Sequence, residues 1–157
     1  MTDPAPQPPR LDYVATLSVI VAEPLDIGPT AEGHRRIVPI TGGTVSGPRL
    51  VGRVLPLGAD YQTLHTPGLS QLDARYAVET DDGAIVSVDN AAVRAGSPAA
   101  MEKLARGEDV DPAEIYFRCA LRLRSSAPGW EWVNRTVFVG TGERRPDRVL
   151  VHVFAVD

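Results

Sequence analysis

The stretch VGRVLPLGADYQTLHTPGLSQLDARY, residues 51–76, decides the fold prediction for this chain. It predicts an apolar strand, a Gly-Ala-Asp turn that contains Asp60, a polar loop, and a second strand that carries Asp73 and Arg75. The segments before and after it have the alternating pattern of further β-strands. We therefore expect the rest of the chain to close around this stretch as β-structure.

The composition is that of one soluble globular domain. Hydrophobic residues make up 43% of the 157 residues and charged residues 23%, and this length is sufficient for a hydrophobic core. The formal net charge of -4 offers no basic surface to nucleic acid, and no apolar run approaches the roughly 18 residues of a membrane helix. We therefore expect neither nucleic acid nor a membrane as a partner.

The N-terminus and the cysteine content add two expectations. Residues 1–9 are proline-rich and acidic and lack the pattern of a signal peptide, so we predict a disordered tail followed by a single domain over residues 10–157. Cys119 is the only cysteine and cannot form an internal disulfide. A reduced, cytoplasmic location is therefore the expectation.

Turn residues divide the remainder into about eight predicted strands and one helix. Asp81-Asp82-Gly83 predicts a tight hairpin, and Ser97 and Gly107 predict the start and the end of the helix. This pattern favours an all-β fold, an antiparallel barrel or sandwich, over an α+β domain, which would require more helix. The best-defined strands are predicted over residues 11–22, 71–79, 84–88, 115–124, 130–139 and 148–156.

Familiar catalytic and cofactor motifs are not supported by their surroundings. The Gly-Thr-Gly run at residues 140–142 follows an apolar strand as a dinucleotide fingerprint does, but no helix follows it, so we predict a β-turn. His34, His65 and His152 have no partners at metal-ligand spacing, and the nucleophile elbow Gly-x-Ser-x-Gly is not present. The sequence therefore predicts neither a metal nor a cofactor.

Asp73 and Arg75 lie two residues apart on one predicted strand, so their side chains point to the same face. Leu72, Ala74 and Tyr76 share the opposite, apolar face. In one interpretation the apolar face is in the core and the charged pair is in water. In the other, the charged face lines a barrel mouth or lumen, where an ion pair is costly unless it is satisfied, so that it serves a ligand. Patterning alone favours the first.

The predicted strand over residues 115–124 poses the same question, because Arg118 shares a polar face with Tyr116 and two further arginines. Such a face is usually solvated, but an arginine beside a tyrosine near a strand end is also suited to an anionic or phenolic oxygen. Trp132 is a candidate pocket wall or a core residue. Asp60 is a turn former, and it becomes a candidate general base only if its turn enters a pocket.

The assembled segments resemble one family. The similarity is to the DUF3237 family, also called UPF0311, and it is carried, in the expected order, by PITGGTVSGPRLVGRVLPLGADYQ, LDARYAVETDDGAIVSVDNAAVR, PAEIYFRCALRL, WEWVNRTVFVGTGER and VLVHVFAV. It extends from about residue 11 to the end. The combination of GAD, LDARY, TDDG, YFR and NxxxFVG makes the resemblance specific.

This resemblance implies a calycin-like antiparallel β-barrel, a fold associated with small-molecule binding. Some members in fungal polyketide pathways look like cyclases that close an oxygen heterocycle by adding a phenol or alcohol across an alkene. The chain departs from many relatives, since Tyr61 replaces a common tryptophan and Cys119 a common threonine. The polar positions inside the family motifs are Asp60, Asp73, Arg75, Arg118 and Asn134. Their place in these motifs favours a pocket role, with structural ion pairs as the alternative.

Two functional hypotheses follow, with a structural protein whose charged faces are solvated as a third. The first is a cofactor-free cyclase, isomerase or lyase that acts on an aromatic or polyketide-like molecule. The second is a carrier or sensor for a small aromatic or apolar ligand. A homodimer is compatible with each. The candidate catalytic residues are Asp60, Asp73, Arg75 and Arg118. The candidate substrate-binding residues are Tyr61, Tyr116, Trp132 and Asn134.

Overall fold

The computed structural model describes residues 1–65 and 67–157. Its strands are β1 (Leu11–Val21), β2 (Leu25–Thr30), β3 (Gly33–Ser46), β4 (Gly52–Val54), β5 (Ala59–His65), β6 (Leu69–Thr80), β7 (Ile85–Gly96), β8 (Ile115–Arg124), β9 (Val137–Arg144) and β10 (Arg148–Val156). An α-helix, α1, spans Pro98–Ala105, and two short 3-10 helices span Pro112–Glu114 and Glu131–Arg135. Residues 1–10 are exposed and contain no helix or strand.

The strands close into an antiparallel barrel. Neighbours follow the order β1, β10, β9, β8, β7, β6, β4 and β3, and β1 pairs with β3 to complete the ring. β5 continues the position of β4, since both pair with β3 and β6. The wall therefore has eight strand positions, which confirms the all-β prediction and selects the barrel over the sandwich. β2 pairs only with the first half of β3.

Apolar side chains fill the interior because the residues of each strand alternate between the inside and the outside of the wall. On β7 the buried residues are every second one, from Val86 to Arg94, and on β8 they run from Phe117 to Leu123. On β1 this alternation begins only after a bulge between Tyr13 and Ala15. Residues two apart normally share a face, but the bulge leaves Tyr13 exposed while Ala15 is buried. The largest fully buried side chains are Phe138, Leu17, Val14, Val54, Val78, Val86, Val88, Val133 and Val153.

One end of the barrel is closed by aromatic side chains. The 3-10 helix Glu131–Arg135 buries Val133 and places Trp132 against Phe138, with ring centroids 5.8 Å apart. The Arg49 guanidinium lies 4.0 Å from the centre of the Trp132 ring, a cation–π contact. Trp132 therefore belongs to the plug of this end.

The opposite end is covered in part by α1, which connects β7 to β8. As predicted, Ser97 caps the helix, and its side chain accepts a hydrogen bond from the Ala100 N–H at 3.1 Å. Ala100 and Leu104 pack with Val110 in a small cluster separate from the main core. In the described ranges, no helix has the length and apolar character needed to cross a membrane.

Three local predictions are wrong. The predicted strand at residues 130–139 begins only at Val137, because the Asn134 side chain bonds to both the N–H and the C=O of Ser125 and holds the preceding segment in a loop. The polar loop expected after Asp60 is part of β5. The glycines predicted to form a β-turn lie within β9, where a Cβ on Gly142 would approach the Phe117 ring to 2.6 Å.

Truncation of Trp132 tests the closed end. We expect Trp132→Ala to lower the free energy of unfolding by about 3 kcal/mol, because it removes the contacts with Phe138 and Arg49 and leaves a cavity. Tyr116→Ala is the matched control, since Tyr116 is 56% exposed and its loss should cost less than about 0.5 kcal/mol. Urea unfolding measures both. Equal effects of the two substitutions would contradict the assignment of Trp132 to the plug.

Candidate functional site

Four polar side chains face the barrel interior near the end that α1 covers. Each has a buried atom without a hydrogen-bond partner in the described part of the chain: Asp60 Oδ1, Tyr76 Oη, Asn90 Oδ1 and Arg94 Nε. The strand register places Asp60 and Asn90 at one level, since both lie across from Ala74 on adjacent strands. Tyr76 lines the same small cavity, and Arg94 lies four residues beyond Asn90 on β7. Buried polar atoms are nearly always hydrogen-bonded in native proteins. This cluster therefore marks a candidate ligand site.

Asp60 is oriented by a chain of hydrogen bonds that begins at Arg36. The Gln62 Nε2 donates to Asp60 Oδ2 at 2.8 Å, and Gln62 Oε1 accepts from Arg36 Nε at 3.2 Å and from Arg36 Nη2 at 2.8 Å. Because a guanidinium can only donate, Arg36 fixes the Gln62 amide with its NH₂ group toward Asp60. Oδ2 is thereby occupied, whereas Oδ1 is buried and has no hydrogen-bond partner among the described residues.

The environment of Asp60 favours its protonated form more than water does. Burial raises the pKa of the Asp60 carboxyl above its usual value of 3.8, while the hydrogen bond from Gln62 and the charge on Arg94 act in the opposite direction. A carboxyl group that lines a cavity and has a raised pKa is a candidate for proton transfer. Asp60 is therefore a candidate general acid or base.

Arg94 is a buried cation beside this carboxyl group. Its side chain is on β7, the residue is 3% exposed, and its guanidinium lies 5.6 Å from the centre of the Phe117 ring. Burial lowers the pKa of Arg94 to about 10, with Asp60 opposing and Arg144 and Arg36 adding to the effect, so it remains protonated at neutral pH. In the described ranges no carboxylate oxygen lies within 4.0 Å of it.

Two cavities are lined by these residues. The inner cavity has a volume of about 40 Å³ and is lined by Asp60, Tyr76 and Asn90 together with apolar side chains that include Phe117. It has room for roughly two or three waters or for one polar end of a ligand. The outer pocket, about 550 Å³, lies between the barrel rim and α1 and is lined by Arg94 and Arg36. Pockets of this volume accommodate a small organic ligand.

The rim of the outer pocket combines charged and apolar groups. Asp26 is hydrogen-bonded to His34, Glu102 is an exposed residue of α1, and Arg36 Nη1 donates to the Ala105 carbonyl at 3.4 Å. Arg36 therefore contacts both the covering helix and the Gln62 that orients Asp60. The apolar lining residues are Pro24, Leu64, Leu69, Pro98 and Met101.

Among the residues singled out from the sequence, Asp60 faces the interior. Asp73 and Arg75 form an ion pair at 3.2 Å on the outer surface, with side chains 50% and 66% exposed. This placement selects the solvated alternative for that strand face. Arg118 is also exposed, donates to the Phe117 carbonyl at 2.9 Å, and lies 5.3 Å from the Tyr116 ring.

The four predicted substrate-binding residues are dispersed. Tyr61 and Tyr116 are exposed on the outer wall. Trp132 is in the plug, and Asn134 bonds to Ser125 at the same closed end. The structure does not bring these four residues to the interior site.

Several interior residues were missed by the sequence analysis. Asn90 and Arg94 lie on the same inward face of β7 as Val86 and Val88, since alternate residues of a strand share a face. This alternation is the signal that would have identified them. Gln62 was missed because its segment was predicted to be a loop. Within residues 1–65 and 67–157, no group of three or more His, Cys, Asp or Glu side chains is arranged to hold a metal ion.

Comparison with known proteins assigns this barrel to a family. The profile described as "Protein of unknown function (DUF3237)" matches residues 9–156. The chain is also 43% identical over 144 residues to the UPF0311 protein RPA1785 of Rhodopseudomonas palustris, an alignment that covers 92% of this chain and 94% of that protein. The chain belongs to the DUF3237 family. The resemblance noted in the sequence is thereby confirmed.

Solved structures of similar proteins agree with the fold. The crystal structure of RPA1785 has a TM-score of 0.90 at 41% identity, with full coverage of both chains. A beta-barrel like protein from Acinetobacter baumannii has a TM-score of 0.85 at 39% identity, covering 98% of this chain and 99% of that one. An enzyme from Penicillium herquei has a TM-score of 0.74 at 18% identity, covering 99% and 100%, and shows the fold alone.

Removal of the Arg94 charge should stabilise the unliganded protein. We expect Arg94→Met to raise the free energy of unfolding by about 1 kcal/mol and Tm by about 2–4 °C, because a buried cation without a bonded anion is replaced by an apolar chain. Arg53→Met is the matched control, since the Arg53 side chain is 60% exposed and its removal should shift Tm by less than about 2 °C. Calorimetry measures both. A fall in Tm for Arg94→Met would contradict the assignment.

The raised pKa of Asp60 predicts a particular pH dependence of stability. Above the unfolded-state value of 3.8 the folded chain binds a proton at Asp60 that the unfolded chain releases, so this contribution is lost as pH rises through the folded pKa. We expect Asp60→Asn to gain stability relative to the unsubstituted protein as pH rises above about 4, by at most about 1.4 kcal/mol per pH unit. Urea unfolding at a series of pH values measures the difference. A relative loss would show that the pKa is lowered instead.

Proposed function

We propose that the barrel binds a small organic molecule in the outer pocket and that Asp60 exchanges a proton with a hydroxyl group of that molecule in the inner cavity. The observation that carries this proposal is the set of unpartnered atoms around the cavity, Asp60 Oδ1, Asn90 Oδ1 and Tyr76 Oη. A carboxylate and an amide oxygen only accept hydrogen bonds, whereas a phenol both donates and accepts. A cavity rich in acceptors suits a ligand that donates, such as a phenol or an alcohol.

The reaction class supported best is a cofactor-independent cyclase, with an isomerase or lyase as variants of the same proton transfer. Asp60 Oδ1 takes the proton of the hydroxyl group, and the oxygen adds to an activated alkene of the same molecule. A C–O bond forms as the C=C π bond breaks, and the proton returns from Asp60 to carbon. The step is balanced and leaves the carboxylate ready for another cycle.

The outer pocket supports an aromatic or polyketide-like substrate. Leu64, Leu69 and Met101 provide apolar contacts on the wall and the covering helix. Phe117 lines the inner cavity and lies beside the guanidinium of Arg94, which lines the outer pocket. Flat, largely apolar ligands with few polar groups fit sites of this kind. The Penicillium herquei barrel of similar fold is described as an enzyme, which is compatible with a catalytic role for this architecture.

Turnover of model substrates tests the proposal. The probes are 2′-hydroxychalcones, in which a phenol closes on a conjugated alkene, together with small aromatic enols, incubated in D₂O and followed by mass spectrometry. We expect cyclisation or deuterium incorporation with the unsubstituted protein and a loss of at least about 100-fold with Asp60→Asn, because the proton acceptor is removed. Asp89→Asn, on the outer face of β7 in an ion pair with Arg124 at 2.8 Å, is the matched control and should retain the rate.

Two outcomes of this experiment would redirect the assignment. If Asp73→Asn abolishes turnover and Asp60→Asn does not, the chemistry belongs to the outer surface. If a probe binds stoichiometrically and is recovered unaltered by the unsubstituted protein and by Asp60→Asn alike, the barrel is a carrier or sensor rather than an enzyme.

A further inference from the structure

Arg94 is a buried cation whose partner is not provided by the described part of the chain. Its Nε is buried and makes no hydrogen bond, and the Phe117 ring lies beside the guanidinium. Asp60 acts on it only through space, since no carboxylate oxygen lies within 4.0 Å. A buried charge without an anion or acceptor is strongly unfavourable. The residue also lines the outer pocket, so a ligand can reach it.

Two further arginines influence Arg94 through space, and one of them, Arg36, also lines the outer pocket. Arg36 and Arg144 are half-buried, and both repel Arg94. Arg36 already donates to Gln62 through Nε and Nη2. Arg144 donates through Nη1 to the Arg148 carbonyl at 3.2 Å and is not among the residues that line the pocket. Arg94 is therefore the guanidinium best placed to bind an incoming group.

The carboxylates around the pocket do not neutralise this charge. Asp60 forms no ion pair with Arg94 in the described ranges, and its Oδ2 already accepts a hydrogen bond from Gln62. Asp26 and Glu102 are exposed rim residues, and Asp26 is hydrogen-bonded to His34. Exposed charges are screened by water and salt, whereas buried ones are not. An anion that enters the pocket is therefore attracted by Arg94 more than it is repelled by the rim.

We infer that the ligand carries an anionic oxygen group, in the simplest case a carboxylate, which binds Arg94 in the outer pocket while the ligand's hydroxyl group reaches Asp60. This inference rests on the proposed function and names its substrate class, an aromatic or aliphatic hydroxy acid. A guanidinium is suited to such a group because its planar donors match the two oxygens of a carboxylate. The two recognition points are distinct, Arg94 for the charge and the inner cavity for the hydroxyl.

Matched acids and amides test the inference. The probes are 4-hydroxyphenylacetate, 3-(4-hydroxyphenyl)propanoate, 4-(4-hydroxyphenyl)butanoate and 4-hydroxycinnamate, each compared with its neutral amide by isothermal titration calorimetry. We expect the best-fitting acid to bind at least about 10-fold more tightly than its amide. Arg94→Met should reduce that ratio to about 1 while the amide affinity stays within about twofold. Arg53→Met, an exposed arginine on β4 paired with Glu79 at 3.2 Å, should keep the ratio.

A second variant distinguishes loss of the Arg94 charge from loss of the folded structure. Arg94→Lys retains the charge but loses the planar fork, so the acid should still be preferred, by a smaller factor than in the unsubstituted protein. If no acid binds more tightly than its amide, or if the preference survives in Arg94→Met, the inference is overturned and the proposed function stands. If neither acids nor amides bind the folded, unsubstituted protein, the proposed function is overturned with it.

Discussion

Polar side chains that face the inside of a closed barrel are the constraint on which this structure depends. In a continuous antiparallel ladder most backbone N–H and C=O groups are paired between strands, which leaves few backbone partners for an inward-facing side chain. Asp60, Asn90 and Arg94 therefore depend largely on other side chains or on a ligand. Gln62 satisfies one oxygen of Asp60, and the remaining atoms stay without protein partners in the described ranges. The position of the site follows from this incomplete satisfaction.

The two ends of the barrel differ in how their interior is filled. At the closed end, Trp132, Phe138 and Arg49 pack into a plug that needs no ligand. At the other end the interior becomes polar, and α1 provides a cover that touches the barrel through Arg36 and its contact with the Ala105 carbonyl. Arg36 also holds Gln62, so the position of the helix and the orientation of the reactive carboxyl are linked through one guanidinium.

The sequence predicted the fold well because alternation and turn chemistry are local signals. The helix start at Ser97 and the inward face of β8 needed no knowledge of distant strands. The site was predicted only at Asp60, and there as a turn residue, because a Gly-Ala-Asp motif has the same local pattern whether it turns in solvent or opens a strand. Arg94 was missed because an arginine in a strand is normally solvated. Only the closure of the barrel determines that the face of β7 that carries Arg94 points inward. The aromatic segment around Trp132 has the composition of a strand. It forms a loop instead, because the Asn134 side chain is hydrogen-bonded to Ser125.

Because Asp60 and Arg94 do not form an ion pair with each other, both groups remain available to contact a ligand. A direct ion pair would satisfy both groups, lower the pKa of the carboxyl, and leave neither a base nor a binding cation for a ligand. Here the carboxyl is turned by Gln62 and the guanidinium lies beside the Phe117 ring, so each influences the other through space without a bond. A ligand that places a donor at Asp60 and an acceptor at Arg94 completes both sets of contacts at once. In the proposed function, the same two groups, left apart, reduce the stability of the empty barrel and select a ligand that carries both a donor and an anionic acceptor.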